Sequence, residues 1–247
     1  MESLKIRPCC TSAHLHLIGM FLMLCDHIWA ASLLNFEFLT MLGRIAFPIF
    51  CFLIVEGFYH TRNVNKYLQR IFIGAVISEI PFNLVAGGHW TYLTHQNVLW
   101  TFLLGILMLK CLEKQKGKTL FKQVLFSFLI AALFLILAIV CFVDYHAPGI
   151  ATILVFYFLR GDTWKHRLGQ LLGLYYINFE FLGGLVYPVV LGSWSFEFPL
   201  QGFALLSLIF IWLYNGKKGY DKPWFKIACY AFYPAHLLVL GALAFLL

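Results

Sequence analysis

Apolar residues fill nine blocks of the chain, at 14–33, 39–59, 66–86, 96–112, 119–141, 142–160, 167–190, 197–214 and 224–246. Each is long enough to cross roughly 30 Å of hydrocarbon as a helix. The pattern predicts an all-α polytopic membrane protein of about nine transmembrane helices, the tightest junction, around Asp144, dividing the fifth block from the sixth. Only Asn215 to Lys222, with Gly216 and Gly219 set among lysines, reads as a turn-rich linker. No internal repeat or low-complexity tract divides the chain, so residues 1–247 read as a single membrane domain.

Composition agrees. Apolar residues make up 62% and the mean hydropathy is +0.83, while charged residues reach only 12%, against about a quarter in a soluble domain. The first apolar run carries Asp26 and His27, which a signal-peptide core tolerates poorly, so the first helix is expected to stay. Seven cysteines show no CxxC or Cys/His metal spacing and most lie in apolar runs; neither a disulfide nor a metal site is expected.

A net charge of +7 could suggest nucleic acid, but the positions of the cations give it another meaning. Lys5 and Arg7 precede the first block. Arg62, Lys66 and Arg70 join the second to the third; Lys110, Lys114, Lys116, Lys118 and Lys122 join the fourth to the fifth. Arg160, Lys165 and Arg167 follow the sixth, and Lys217, Lys218, Lys222 and Lys226 follow the eighth. Seventeen of the eighteen Lys and Arg thus share one side, and the alternate loops at 34–38, 87–95, 143–146 and 191–196 hold none. By the positive-inside rule the N-terminus is expected in the cytoplasm and the C-terminus outside. The partner implied by this charge is the lipid bilayer, not nucleic acid.

The eighteenth cation is Arg44, inside GRIAFPIFCFLIVEGFYHT, where Pro48 and Glu56 also interrupt an apolar run. A charge at the centre of a spanning helix costs on the order of 3 kcal/mol on insertion scales, so it should face a polar interior and have partners. Pro48 removes a donor and should free the carbonyl of Arg44. The outer half of the map collects Asp26, His27, Glu79, Asn83, Gln96, Asn97, Asp144, His146, Glu180 and His236. One polar chamber is the economical explanation. Glu79 and Asn83 share a helix face across Pro81. The plainer alternative is a structural ion pair of Arg44 with Asp26 or Glu79. Arg70, Lys66 and His60 also suit ordinary snorkelling at an interface.

Several runs resemble one family: LHLIGMFLMLCDHI at 15–28, GRIAFPIFCFLIVEGFYHTRNVNKYLQR at 43–70, ISEIPFNL at 77–84, QNVLWTFLLG at 96–105, DY at 144–145 and FYPAHLLVL at 232–240. In that order they look like a TraX-type membrane acyltransferase, a family associated with acetylation of pilin. FPIFCFLIVEGF and YPAHL are more distantly similar to the acyltransferase-3-like membrane enzymes that modify cell-surface sugars. The resemblance implies a bacterial cytoplasmic membrane and acyl-CoA, such as acetyl-CoA, as co-substrate, with no permanently bound cofactor. The acceptor would be extracytoplasmic, a protein N-terminus or a glycan.

Acyl transfer from a thioester needs a base, a donor to the oxyanion and placement of both substrates. His27 is the candidate base, oriented by Glu79 or Asp144, because Asp26 is adjacent on the helix and points about 100° away. Asp26 is then left for Arg44, and His236 is the rival base. Arg44 or Asn97 would polarise the carbonyl. Glu56, Asn83, Gln96, Asn97, Asp144 and Glu180 are candidates for the acceptor side. Arg62, Lys66, Arg70 and His60 form a cationic rim for the phosphates of the donor, with Lys66 and Arg70 one turn apart. Buried carboxylates and helix-breaking prolines also suit a small proton-coupled transporter. A non-catalytic scaffold would instead have a mutually paired, dry chamber.

Overall fold

In the computed structural model, residues 8–92, 94–192 and 194–246 are described; Lys5 and Arg7, assigned above to the cytoplasmic side, lie outside them. Helix α1 spans Ser12–Ala30 and starts in a capping box in which Thr11 and His14 each bond the other's backbone N–H. The second apolar block is two helices, α2 at Glu37–Gly43 and α3 at Ala46–His60. Pro48 is the third residue of α3, where the N–H has no intrahelical acceptor. The second block is broken ahead of Pro48, at Arg44 and Ile45.

Helix α4, Val64–Gly87, is capped by Asn63 and ends at Gly88 with φ +65°. Helices α5 at Val98–Glu113, α6 at Leu120–Val140 and α7 at His146–Phe158 follow the fourth to sixth blocks closely. The seventh block departs from expectation. Helix α8 covers Trp164–Tyr176, a π-helical turn covers Ile177–Phe181, and Gly183 and Gly184 at positive φ end it. Val186–Leu191 (β1) and Trp194–Pro199 (β2) then pair antiparallel, from Val186 opposite Pro199 to Leu191 opposite Trp194. So 167–190 is not one spanning helix, and the fold is not wholly α. A 3-10 segment at Leu200–Leu206 leads into α9, Ser207–Trp212, and α10 closes the chain at Pro223–Leu246.

The molecule is mostly helical, and five helical stretches are long and apolar enough to cross a membrane: α1, α2 with α3, α4, α6 and α10. It is a membrane protein. Helix α3 is the axis of the packing, with eleven of its fifteen residues buried. Ile49, Cys51 and Val55 are enclosed by α1, α5, α7 and α9. By contrast α6 buries Phe134 and Ala138 alone and turns Leu120, Phe121, Phe128, Ile136 and Val140 outward. A helix apolar all round with so little of it packed is one solvated by lipid.

Backbone bonds tie the ends together. The start of α1 lies against the segment after α9, through Cys10 N–H to Leu213 O at 2.8 Å and Ser12 N–H to Lys217 O at 2.9 Å. Before α5 and α7, Gln96 N–H donates to Phe142 O at 2.8 Å and Asp144 N–H to Gln96 O at 3.0 Å. The hairpin is joined to α2 by Tyr187 Oη–H donating to Glu37 Oε2 at 2.8 Å.

Candidate functional site

A part-buried ion pair joins α1 to the helix break. Arg44 Nη2 donates to Asp26 Oδ1 and, at 3.0 Å, to Thr40 Oγ1, while its Nε–H donates to the Thr40 carbonyl at 3.3 Å. Thr40 Oγ1–H in turn donates to Asp26 Oδ1 at 2.7 Å. Gly43 allows this approach, since a Cβ there would collide with the Asp26 side chain. Asp26 with Arg44 is the pairing expected from the sequence; Glu79 is not Arg44's partner.

One helical step on, His27 Nδ1 lies 2.7 Å from His236 Nε2, and the two rings stack with centroids 4.9 Å apart. The expected orienting carboxylates, Glu79 and Asp144, do not bond His27. His236 is its partner, so the two candidate bases form one pair. The bonds assign the tautomers. His236 Nδ1 is 2.6 Å from the Phe232 carbonyl, an acceptor, so Nδ1 carries the hydrogen and Nε2 is bare. His27 must then donate from Nδ1, which leaves its Nε2 with the free lone pair. Asp26, Asp144 and Arg44 all lie within electrostatic reach of that ring.

A second carboxylate reaches the same region from α4. Glu79 Oε2 accepts from Asn97 Nδ2 and from Trp100 Nε1 at 2.9 Å. Asn97 also donates to the Ala75 carbonyl at 2.9 Å and caps α5 by accepting from Leu99 N–H at 3.1 Å. Both its amide hydrogens are occupied, so Asn97 is a structural cap and not a free oxyanion donor. Asn83 Nδ2 donates to the Trp90 carbonyl at 3.1 Å. Asp144 accepts from His95 Nε2 at 3.1 Å and from the Tyr145 N–H at 2.9 Å, and Thr101 Oγ1–H donates to its carbonyl at 2.5 Å. The bond from His95 to the Asp144 carboxylate raises the His95 pKa above the ordinary imidazole value, against partial burial. Tyr145 stacks on Phe47 at 3.7 Å, and the buried Tyr233 ring lies 6.1 Å from that of His27. Exposed His146 stands 6.2 Å from His95, ring to ring.

Two expected members fall elsewhere. Glu180 is exposed on the π-helical turn and bonds none of these groups. Glu56 lies twelve residues beyond Arg44, or about 18 Å along helical chain, and belongs to a second cluster. There Arg160 donates to its Oε1 through Nε at 2.6 Å and to its Oε2 through Nη2 at 3.4 Å, and His60 Nδ1 stands 3.7 Å from the same Oε2. The Arg160 guanidinium also lies 4.4 Å from the Tyr59 ring centre. Glu113 joins Tyr59, Tyr157 and Lys116 beside it, next to a cleft of about 240 Å³. Lys66 and Arg70 are exposed on one face of α4, Arg70 within 5.9 Å of the Tyr230 ring, and Arg62 is exposed before that helix.

Comparison with known proteins matches the TraX protein family model to residues 11–244. The chain belongs to the TraX family. It is also 28% identical over 229 residues to a probable fimbrial assembly protein, FimC of serogroup H1, from Dichelobacter nodosus, covering 89% of this chain and 86% of the relative. No solved structure matches it. In this TraX-family chain, sequence reasoning missed Thr40, His95, Trp100, Tyr145 and Tyr233 at the first cluster, and Arg160, Glu113 and Tyr157 at the second. Arg160 was visible only as a loop cation. The signal that could have found it is Glu56, a carboxylate in an apolar helix that required a cation near its own end.

Proposed function

We propose that the chain is a membrane-embedded acyltransferase that moves an acyl group, acetyl in the first instance, from cytoplasmic acyl-CoA to an amine or hydroxyl of an extracytoplasmic acceptor. The observation that carries this is the His27–His236 pair, in which one imidazole fixes the tautomer of the other and leaves a basic nitrogen beside a guanidinium. A paired, dry scaffold would have no use for that free lone pair. The relative's name as a probable fimbrial assembly protein and the family's association with pilin acetylation support a pilin-related acceptor.

In this reading His27 Nε2 takes the acceptor's proton as its nitrogen or oxygen attacks the thioester carbonyl. The new C–N or C–O bond forms, the C–S bond breaks, and the thiolate leaves to become coenzyme A thiol with a proton. Asp26 and Asp144 stabilise the imidazolium that forms. Three hydrogen bonds hold Arg44 to Asp26 and Thr40, and its remaining N–H groups serve the oxyanion. Arg62, Lys66, Arg70 and His60 receive the phosphates at the cationic end. The chain crosses nine times, N-terminus inside and C-terminus outside, the π-helical turn and 3-10 segment flanking the hairpin completing the seventh and eighth crossings.

Purified protein given acetyl-CoA labelled in the acetyl group should release free coenzyme A only when an acceptor is present, with the label moving to the acceptor. A purified, folded protein that leaves acetyl-CoA intact with every amine and hydroxyl acceptor offered would refute the reading.

A further inference from the structure

Two buried acceptors on α4 have no donor. Glu79 Oε1 and Asn83 Oδ1 are both enclosed and without a hydrogen-bond partner among the described residues. Neither can turn away. The other oxygen of Glu79 is held by Asn97 and Trp100, and the Asn83 amide is pinned by its bond to the Trp90 carbonyl, which also decides which end of the amide is oxygen. Asn83 is 5% exposed. Residues 79 and 83 are one turn apart, so the two side chains start from one helix face.

The face they occupy is linked to the histidine pair through Tyr233. Glu79 lies within electrostatic reach of His95 and of Tyr233, and the Tyr233 ring stands 6.1 Å from His27 and 5.8 Å from His236. An acceptor left bare in a buried site carries a desolvation cost that a docked donor removes. The chemistry of the occupant follows from that. A thioester carbonyl and a phosphate offer acceptors only, so neither satisfies these oxygens. A primary amine or a hydroxyl does. The hydroxyls of Ser78 and Ser207, also without partners, carry a donor hydrogen of their own and do not select for one.

We infer that Glu79 and Asn83 form the seat of the acceptor's nucleophilic group, which donates N–H or O–H hydrogens to Glu79 Oε1 and Asn83 Oδ1 while His27 approaches it. The inference rests on the acyltransfer reading and assigns Glu79 to acceptor recognition. An ammonium would gain a charge-assisted bond at Glu79 that a hydroxyl would not.

The test uses the full chain in nanodiscs with radiolabelled acetyl-CoA and two probes that differ in one group: Gly-Gly-Ser amide, with a free amine, and its glycoloyl counterpart, with a hydroxyl in its place. For the probe that the parent protein acetylates, Glu79→Gln and, separately, Asn83→Leu should raise the acceptor KM about tenfold or more, with the KM for acetyl-CoA unchanged. Glu79→Gln is nearly isosteric, but its oxygen is needed by Asn97 and Trp100, so it turns an N–H toward the incoming donor. Without acetyl-CoA, the rise in unfolding temperature produced by the accepted probe should also vanish in both variants. Preference for the amine or for the hydroxyl identifies which source fills the seat. Folded variants with the parent's acceptor KM would show that these oxygens hold only water, and the seat would be withdrawn while acyl transfer stands. A parent protein that acetylates neither probe would overturn the acyltransfer reading and the seat with it.

Discussion

His27 and His236 illustrate how much two hydrogen bonds decide. With the Nδ1–H of His236 on the Phe232 carbonyl, the imidazole of His27 can present only Nε2 as a base. This is the division of labour in which one group moves the proton and another holds it in register. His27→Ala should therefore cost about 10²- to 10⁴-fold in acyl transfer. His236→Ala should cost less, because His27 keeps its basic nitrogen and loses only its orientation. The double variant should be no slower than His27→Ala alone, since the two act as a unit. Initial rates on folded protein check this, and multiplicative losses in the double variant would show that the histidines act independently. At this scale the sequence disclosed the charged groups well. Asp26, Arg44 and Glu79 stand out because ions are costly in an apolar helix. Tyr145, Tyr233 and Trp100 do not, because an aromatic ring in an apolar run reads as packing until its polar tip is placed beside a charge.

Between elements, the segments before α5 and α7 are tied to each other beside the site. Gln96 donates its N–H to the Phe142 carbonyl and accepts from the Asp144 N–H there, and the His95–Asp144 pair lies across the same junction. Its pH dependence has a definite sign. Hydrogen bonding to Asp144 raises the His95 pKa above its unfolded value, so the stabilisation is fully present below that value, near 6.5. It is lost as pH rises through the raised one. His95→Gln should therefore lower the unfolding temperature more at about pH 5.5 than at about pH 8.5. An equal loss at both would show that the imidazolium contributes nothing to the junction. This tie was not legible in the sequence, where His95 sits in a short polar loop like any solvated residue. Helix type was legible wherever an apolar run was bounded by caps, as at Asn63 and Asn97. The hairpin was not: VYPVVL and WSFEFP are as apolar as a helix of the same length, and only Gly183, Gly184 and the β-branched residues that follow marked the change.

For the whole molecule, two polar clusters at opposite ends of α3 have different charge balance, and that difference bears on orientation. The end holding Glu56 and Arg160 is bordered by Arg62, Lys66, Lys116 and Arg167, and the start of α1 is bonded to Lys217 there, if the helices alternate as their connections require. Around the Asp26 end, the connections at 31–36, 88–97 and 141–145 and the hairpin carry no Lys or Arg. Tyr187 on that hairpin bonds Glu37 at the start of α2, so hairpin and helix break share this end. Cations are retained on the cytoplasmic side during insertion, so the orientation proposed above has the cluster of Arg160 inside and that of His27 near the outer surface. The departure of residues 177–199 from a plain helix adds a new check, because under that proposal the hairpin tip faces outward with the Trp90 loop. Single cysteines at Lys116 and Lys218 in a cysteine-free background should be shielded from a membrane-impermeant thiol reagent in intact cells. Cysteines at Trp90 and Gly192 should react. A hairpin tip labelled only after the membrane is opened would place the His27 end on the wrong side for an extracytoplasmic acceptor, and would reverse the roles assigned to the two ends of α3.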